Sequence, residues 1–550
     1  MARQPQETSM TESDIQPSLD KKETLDYSRK VKRTLEVTLI ALLLGLAVEI
    51  LLDGHPLGIN FPIWAALCAA ALFITARLEG IRPSRWEWLL VIPILFLSVM
   101  AVIRLEPLTV FLCVIGTFML FALWVRVFRA GRLIGFGWLD FAVAVIAPPL
   151  EALFRPWATM TEAWRRAAGE RGGRSRGWAI LRGVLLALPV LAVFTALLAA
   201  ADLVFGDLVE EALRWLNIEK LLEYVGRGVV VVLSATFMLG ALVIALLDPG
   251  NRRLHGEDKP LLNPFVGFLE STIVLGAVDL LFASFVVVQF RYLFGGEFNI
   301  TVAGYTYAEY ARNGFGELVW VAFLSMGLIM ALGYFGKRGE SRQRGWFNGL
   351  SAGLVALLGV ILVSAWQRLL LYEGAYGFTE LRTYTHVFIP WLALHLVVFL
   401  FLLFRGNLRR FAPFAALGTL GFVVTLSLLN VDAFIVQQNV KRFALTEEID
   451  LDYLKYLTDD AVPGLVQFAR TAPEGVREEL LASLACRRAM QGDRLADLDW
   501  HSWHPSHARA MTLLDGLEGL DAYTMEFEDW SWMVSGPGVE KDYCDYWFWD

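Results

Sequence analysis

Apolar blocks long enough to cross about 30 Å of hydrocarbon recur along the first four fifths of the chain, separated by short polar connections. They fall at roughly 37–52, 61–76, 86–103, 107–125, 178–200, 228–247, 265–290, 315–335, 346–371, 387–404 and 411–429. The pattern predicts an all-α polytopic transmembrane helix bundle of about 11 spans. The first, second and tenth blocks are short and need extension at their ends.

Arginine and lysine orient the bundle. They collect at Lys30, Lys32 and Arg33, at Arg77 to Arg85, at Arg126 to Arg176, at Arg252 and Arg253, at Lys337 to Arg344, and at Arg405 to Arg410. Each cluster follows an even-numbered span or precedes an odd-numbered one. Short cytoplasmic loops retain positive charge, so the N-terminus is expected inside and the C-terminus outside. Residues 1–33 form a polar tail without an apolar signal-like core, read as a disordered cytoplasmic extension. Residues 34–440 are then the membrane domain. The segment "FAVAVIAPPLEALF" (141–154) is too short to span and carries Pro148 and Pro149, so it reads as an interfacial or re-entrant piece. Residues 202–224 read as an amphipathic helix along the outer interface.

Composition agrees with a lipid environment: 56% hydrophobic residues, 19% charged and a mean hydropathy of +0.50 over 550 residues. The balance changes beyond residue 441. From there to the C-terminus stand 10 basic and 22 acidic residues, a net −12, which leaves +4 on the rest of the chain. Residues 441–550 therefore read as an acidic, mainly helical domain outside the membrane, with Thr458 to Asp460 and Pro463 marking a helix start. Cys486 and Cys544 both fall in it, where a disulfide is permitted, and spacing alone leaves the bridge open. "WHSWHPSHARA" holds His501, His504 and His507, residue types that ligate zinc or copper. Pro505 reads as a first helical residue, which makes His504 a cap and turns His501 away from His507, so no metal site is assigned.

Polar side chains gather at one depth of five consecutive spans. Gln289 and Arg291 end the seventh; "TYAEYARNGFGEL" brings Tyr307, Glu309, Tyr310, Arg312 and Glu317 to the start of the eighth; Gln367, Arg368, Tyr372 and Glu373 end the ninth. Arg382 and His386 open the tenth, and Asn430 and Asp432 follow the eleventh. Charge beside hydrocarbon is costly, so these groups are expected to face one another around an outward-facing polar vestibule that binds a small ligand or lipid. Deeper in the bundle, Asp279 and His395 are candidates for an ion or proton relay.

The motifs "FRYLFGG", "TYAEYARNGFGEL", "QRLLLYEGAYGFTELRTYTHVF", "LNVDAFIVQQNV" and "LDYLKYLTDDAVPGL" resemble those of an uncharacterised bacterial multi-pass membrane family, domain of unknown function 4173, with a sister grouping, 4153. The resemblance covers about residues 265–510 and implies a bacterial plasma-membrane location without an activity. Phosphate-loop, dinucleotide, zinc-protease and nucleophile-elbow motifs are absent from the sequence, and no cofactor is called for. Basic residues are confined to short juxtamembrane loops, so nucleic acid is not an expected partner. Membrane lipid is, as are other envelope proteins through the C-terminal domain. Three readings stay open: a ligand-binding sensor, scaffold or envelope assembly factor; a secondary transporter using Asp279 and His395; and a membrane enzyme acting on a lipid-linked or envelope substrate.

Overall fold

The structure is a computed structural model that describes residues 31–83, 86–129, 133–169, 218–248, 264–293, 315–337, 339–496, 499–528 and 531–544, with scattered positions between 183 and 211. Two helical bundles stand side by side. The first holds α1 (Thr34–Leu52), α2 (Asn60–Leu78), α3 (Val91–Ile103), α4 (Pro107–Val127), α5 (Trp138–Gly169) and α6 (Ile218–Leu247). The second holds α7 (Phe268–Leu293), α8 (Phe315–Phe335), α9 (Ser341–Tyr376), α10 (Glu380–Phe404) and α11 (Phe411–Leu429). Among the described residues, eight helices are long and apolar enough to cross a membrane, and two shorter apolar helices, Trp88–Ile103 and Val319–Phe335, lie at the third and eighth expected blocks. The fifth expected block and the amphipathic segment before residue 218 lie mostly outside the described residues.

In the first bundle α6 is the central rod, with α1 and α5 along its sides. Gly240 makes the second contact: a Cβ there would run into the Ala152 carbonyl oxygen, so only a hydrogen side chain lets the two backbones meet. Pro148, Pro149 and Pro156 lie inside one continuous α5, which is held in place by its neighbours α4 and α6; of the two expected forms, continuity leaves the interfacial one, and α5 is not among the helices apolar enough to cross a membrane. In the second bundle α9 carries α7, α8 and α10, and α10 carries α11, around Leu275, Ile329, Leu354 and Phe399. Contacts of α11 with α4 and α5 join the two bundles. Large apolar side chains on the outer faces, such as Leu43, Ile92, Phe111, Leu280 and Val397, are exposed, as expected for surfaces solvated by acyl chains.

Asn430 ends α11 and begins α12 (Val431–Thr446) in a left-handed conformation (φ 54°), and its Oδ1 accepts the Ala433 amide at 3.3 Å. Asn is one of the few side chains that tolerates this hinge. Beyond it stand α13 (Leu451–Lys455), α14 (Val462–Ala469), α15 (Glu474–Ala496) and α16 (Pro505–Asp515). Their core, Leu454, Leu465, Leu484, Leu514 and Leu520, is continuous with Val431, Ile435 and Val436 of α12. The core of the C-terminal region therefore reaches back across the expected boundary at 441 to Val431.

The all-α expectation needs a correction at the end of the chain. Strands β1 (Thr524–Glu528), β2 (Ser531–Gly536) and β3 (Val539–Tyr543) form an antiparallel meander that packs on α15. Alternating "TMEFE" and "SWMVSG" and the "GPG" turn carry the period-two signal that the helical spacing upstream overshadows. Cys544, just past β3, is bonded to Cys486 of α15, with Cα atoms 5.6 Å apart.

Candidate functional site

The C-terminal domain is seated on one end of the bundles, against four connections: α1–α2, α3–α4, α9–α10 and α11–α12. The seat is a buried polar seam. Glu106 caps α4 through the Leu108 and Thr109 amides at 2.6 and 2.9 Å, and also accepts the hydroxyls of Thr109 and Tyr384. Four donors fill a carboxylate's acceptor capacity. Pro107 suits the first helical position because it has no amide hydrogen to satisfy. Beside it, Arg104 donates from Nε to the Ser427 carbonyl at 2.6 Å, tying the α3–α4 loop to α11.

Two carboxylates bind the domain to this base. Asp460 accepts the Leu105 amide at 2.9 Å and the Ser506 hydroxyl at 2.6 Å, while Ser506 also contacts the Ile103 carbonyl at 2.7 Å. Asp432, fully buried, accepts the Thr458 amide and hydroxyl on one oxygen, at 2.9 and 2.5 Å, and its Oδ1 has no hydrogen-bond partner. Burial pushes the Asp432 carboxyl up from 3.8 to about 7, with the nearby charge of Glu380 adding to the effect and the Thr458 bonds opposing it. Burial likewise raises Asp460. Further into the domain Asp459 gathers Arg487 Nη1 and Gln491 Nε2, each at 3.2 Å, and His507 Nδ1 at 2.6 Å.

A pH experiment isolates Asp432. The folded chain keeps a proton that an exposed carboxyl loses, so between pH 4 and 7 stability falls as pH rises, at up to about 1.4 kcal/mol per pH unit. Buried His504 is lowered from 6.5 to about 4 and acts with the opposite sign between those values. The two oppose each other below pH 6.5, so the informative quantity is the stability of Asp432→Asn minus that of the native chain. This difference is expected to move in favour of the variant from pH 4 to 7 and to level off above. A difference independent of pH between 5 and 8 would mean that Asp432 titrates as an exposed carboxyl does.

The α9–α10 turn is clamped from the domain side. Gly377 ends α9 at φ 76°, and Asn439 of α12 both donates to the Phe378 carbonyl at 2.9 Å and accepts its amide at 2.8 Å. Arg442 reaches the Gly374 and Ala375 carbonyls at 3.0 and 2.7 Å, closing the C-terminal end of α9. The Glu380 amide donates to Tyr453 Oη at 2.8 Å. Just inside this turn, Glu373 is buried and meets His386 Nδ1 at 3.1 Å, and the His386 ring lies 4.5 Å from that of Trp366. One turn further along α10 begins a narrow apolar cleft of about 20 Å³ between α8, α9 and α10, lined by Val319, Leu358, Ala365, Phe388, Ile389 and Leu392 among others.

A family model described as "Domain of unknown function (DUF4153)" matches residues 91–468. The chain belongs to that family. No curated protein and no solved structure matches the chain. The matching grouping is the sister one, 4153, and its reach corrects the extent read from motifs: the DUF4153 region starts at α3 and stops at the end of α14. It holds Glu106, Asp432, Thr458 and Asp460 together and leaves out the disulfide, the sheet and α16.

The expected vestibule residues divide into groups. Tyr307, Glu309, Tyr310 and Arg312 lie outside the described residues, as do the side chains of Arg291 and Glu317. Arg382 stacks on Tyr372, 4.0 Å above its ring, and donates to the Tyr376 carbonyl at 3.0 Å; Gln367 faces outward from α9, and Arg368 is half-buried there. His386 pairs with Glu373, while Asn430 and Asp432 join the seam and not an open vestibule. Asp279 and His395 face different neighbours: Asp279 lies over Gly353 of α9, and His395 meets the Trp391 and Ala415 carbonyls at 2.6 and 3.3 Å. Sequence reading missed Glu106, Tyr384, Asp460, Asn439 and Arg442. "EPLT" was the legible one among them, a cap followed by proline.

Proposed function

We propose that this DUF4153 protein is a non-enzymatic membrane sensor or scaffold that holds one acyl chain, or another amphiphile with a single apolar tail, in the cleft between α8, α9 and α10. The lining carries the reading: the walls of this narrow cleft are apolar side chains, between which a single tail would enter by spreading the helices, and Trp366, His386 and Glu373 stand at one end, an amphipathic arrangement suited to a tail with a polar head. Occupancy is transmitted to the C-terminal domain through the α9–α10 turn, which Asn439, Arg442 and Tyr453 grip from three directions. The domain lies on the extracytoplasmic side of a bacterial plasma membrane. The distribution of arginine and lysine supports that orientation, and so does a disulfide, a bond of oxidising compartments.

Native mass spectrometry of detergent-purified protein tests this. The native chain is expected to carry one lipid, and Ala365→Phe, which fills the cleft, is expected to lose it while Gln367→Ala on the outer face keeps it. Equal lipid content in all three would remove the cleft from the account.

A further inference from the structure

We propose that His55, Asp499 and His501 form a binding site for a divalent transition-metal ion with zinc-like or copper-like preferences. His55 lies in the α1–α2 loop and the other two in the C-terminal domain, so the bound ion would cross-link opposite ends of the chain. All three stand outside the region matched by the family.

The three-histidine run divides in the structure. His507 turns to Asp459 and lies beside His504, with ring centroids 5.3 Å apart, whereas His501 turns the other way and meets His55. One ligand atom from each of His55, Asp499 and His501 lies within 4.8 Å of the other two. The frame around them is fixed. The Ile59 amide donates to the Trp503 carbonyl at 3.2 Å, and the Ser502 hydroxyl donates to the Pro56 carbonyl at 3.1 Å. Buried Asn60 ties the loop to itself through Leu51, Pro56 and Gly58. At Gly58 an added Cβ would stand 2.5 Å from the Ser502 backbone, so the loop and the domain segment touch main chain to main chain.

Within that frame one nitrogen is unexplained. The His501 side chain is 10% exposed, and its Nδ1 has no hydrogen-bond partner among the described residues. The nearest acid, Asp499 Oδ2, stands 3.6 Å away, beyond hydrogen-bond length. A buried ring nitrogen free of a hydrogen bond beside a carboxylate and a second imidazole has the donor types and spacing of a metal-ligand set. Two imidazoles and one carboxylate suit borderline cations such as zinc and copper, whereas calcium and magnesium select oxygen ligands, and three protein ligands leave a coordination position for water.

The rings of His55 and His501 are stacked at 4.1 Å with 18° between their planes, and parallel rings cannot both direct a lone pair at one ion. His55, the partly exposed member, has to swing out of the stack, while His501 stays packed against Trp500. Metal uptake thus exchanges a ring stack for three coordinate bonds, from His55, Asp499 and His501, by a side-chain rotation.

The test uses the full-length protein in detergent, stripped with a chelator and dialysed. Zinc titration by calorimetry is expected to show one ion per chain with micromolar or tighter affinity and a raised thermal midpoint. Cobalt is expected to give visible ligand-field bands. His55→Gln should abolish the cobalt bands, and Asp499→Asn should weaken zinc binding about tenfold or more. Asp499 is exposed, so Asp499→Asn should keep the metal-free midpoint of the native chain, and His55, partly exposed, gives up only its stack on His501 in His55→Gln. Absence of micromolar zinc binding by the native protein would overturn the proposal, as would native-like zinc and cobalt binding by the two variants.

Discussion

Arg126→Ala is expected to cost about 3–5 kcal/mol, read as a lowered thermal midpoint in detergent. At the foot of α4 this guanidinium meets Asp248 at 2.7 Å and Glu151 of α5 at 3.3 Å, and the Arg126 and Asp248 side chains are 7% and 3% exposed. Arg155, one turn beyond Glu151, stands 3.1 Å from it and 3.9 Å from Asp248. Removing Arg126 takes from the buried Asp248 carboxylate the guanidinium that stands 2.7 Å from it. The double variant Arg126→Leu with Asp248→Leu should recover much of the loss, since it strands no charge. A single variant as stable as the native chain would show that the cluster is solvated and contributes nothing. This position adds a structural role to the sequence reading, in which Arg126 serves topology. Its nearest acid, Asp248, is 122 residues away along the chain and is brought to it by the packing of α6 against α4.

Cys486→Ser is expected to destabilise the C-terminal domain by about 4 kcal/mol, because the disulfide closes a 58-residue separation and so restricts the unfolded chain. The loss should appear in the unfolding of the C-terminal domain, with α1–α11 unaffected. Cys486 is buried in the domain core, so Cys486→Ala serves as the control for packing. A native chain whose domain unfolds at the same temperature with and without reductant would contradict the expectation.

Much of the membrane architecture was legible because long apolar blocks have one solution in lipid, a helix that satisfies its own backbone. The double proline pointed to an interfacial or a re-entrant piece without choosing between them, because the helix continues through it only where α6 holds α5 at Ala152 and Gly240. Asp432 could be singled out from its charge beside an apolar block. Its partner could not, because Thr458 reaches it only after α12 has folded back on the domain. Glu106 was passed over as an ordinary loop acid, although the proline after it announced a helix cap. The β-meander was lost in a stretch judged by the helices before it. His501 shows the same limit: local spacing correctly turned it from His507, and nothing local could show that it turns toward His55.

The account rests on a cleft whose filling is felt at the domain seat. Hydrogen exchange of the purified full-length protein, lipid-depleted and then resupplied with phospholipid, measures this link directly. Lipid is predicted to slow exchange at Phe378, Glu380 and the α12 amides around Asn439, and Ala365→Phe should show the slowed state without lipid. Protection at those amides that is the same in lipid-free and lipid-supplied protein, while lipid binds, would contradict it.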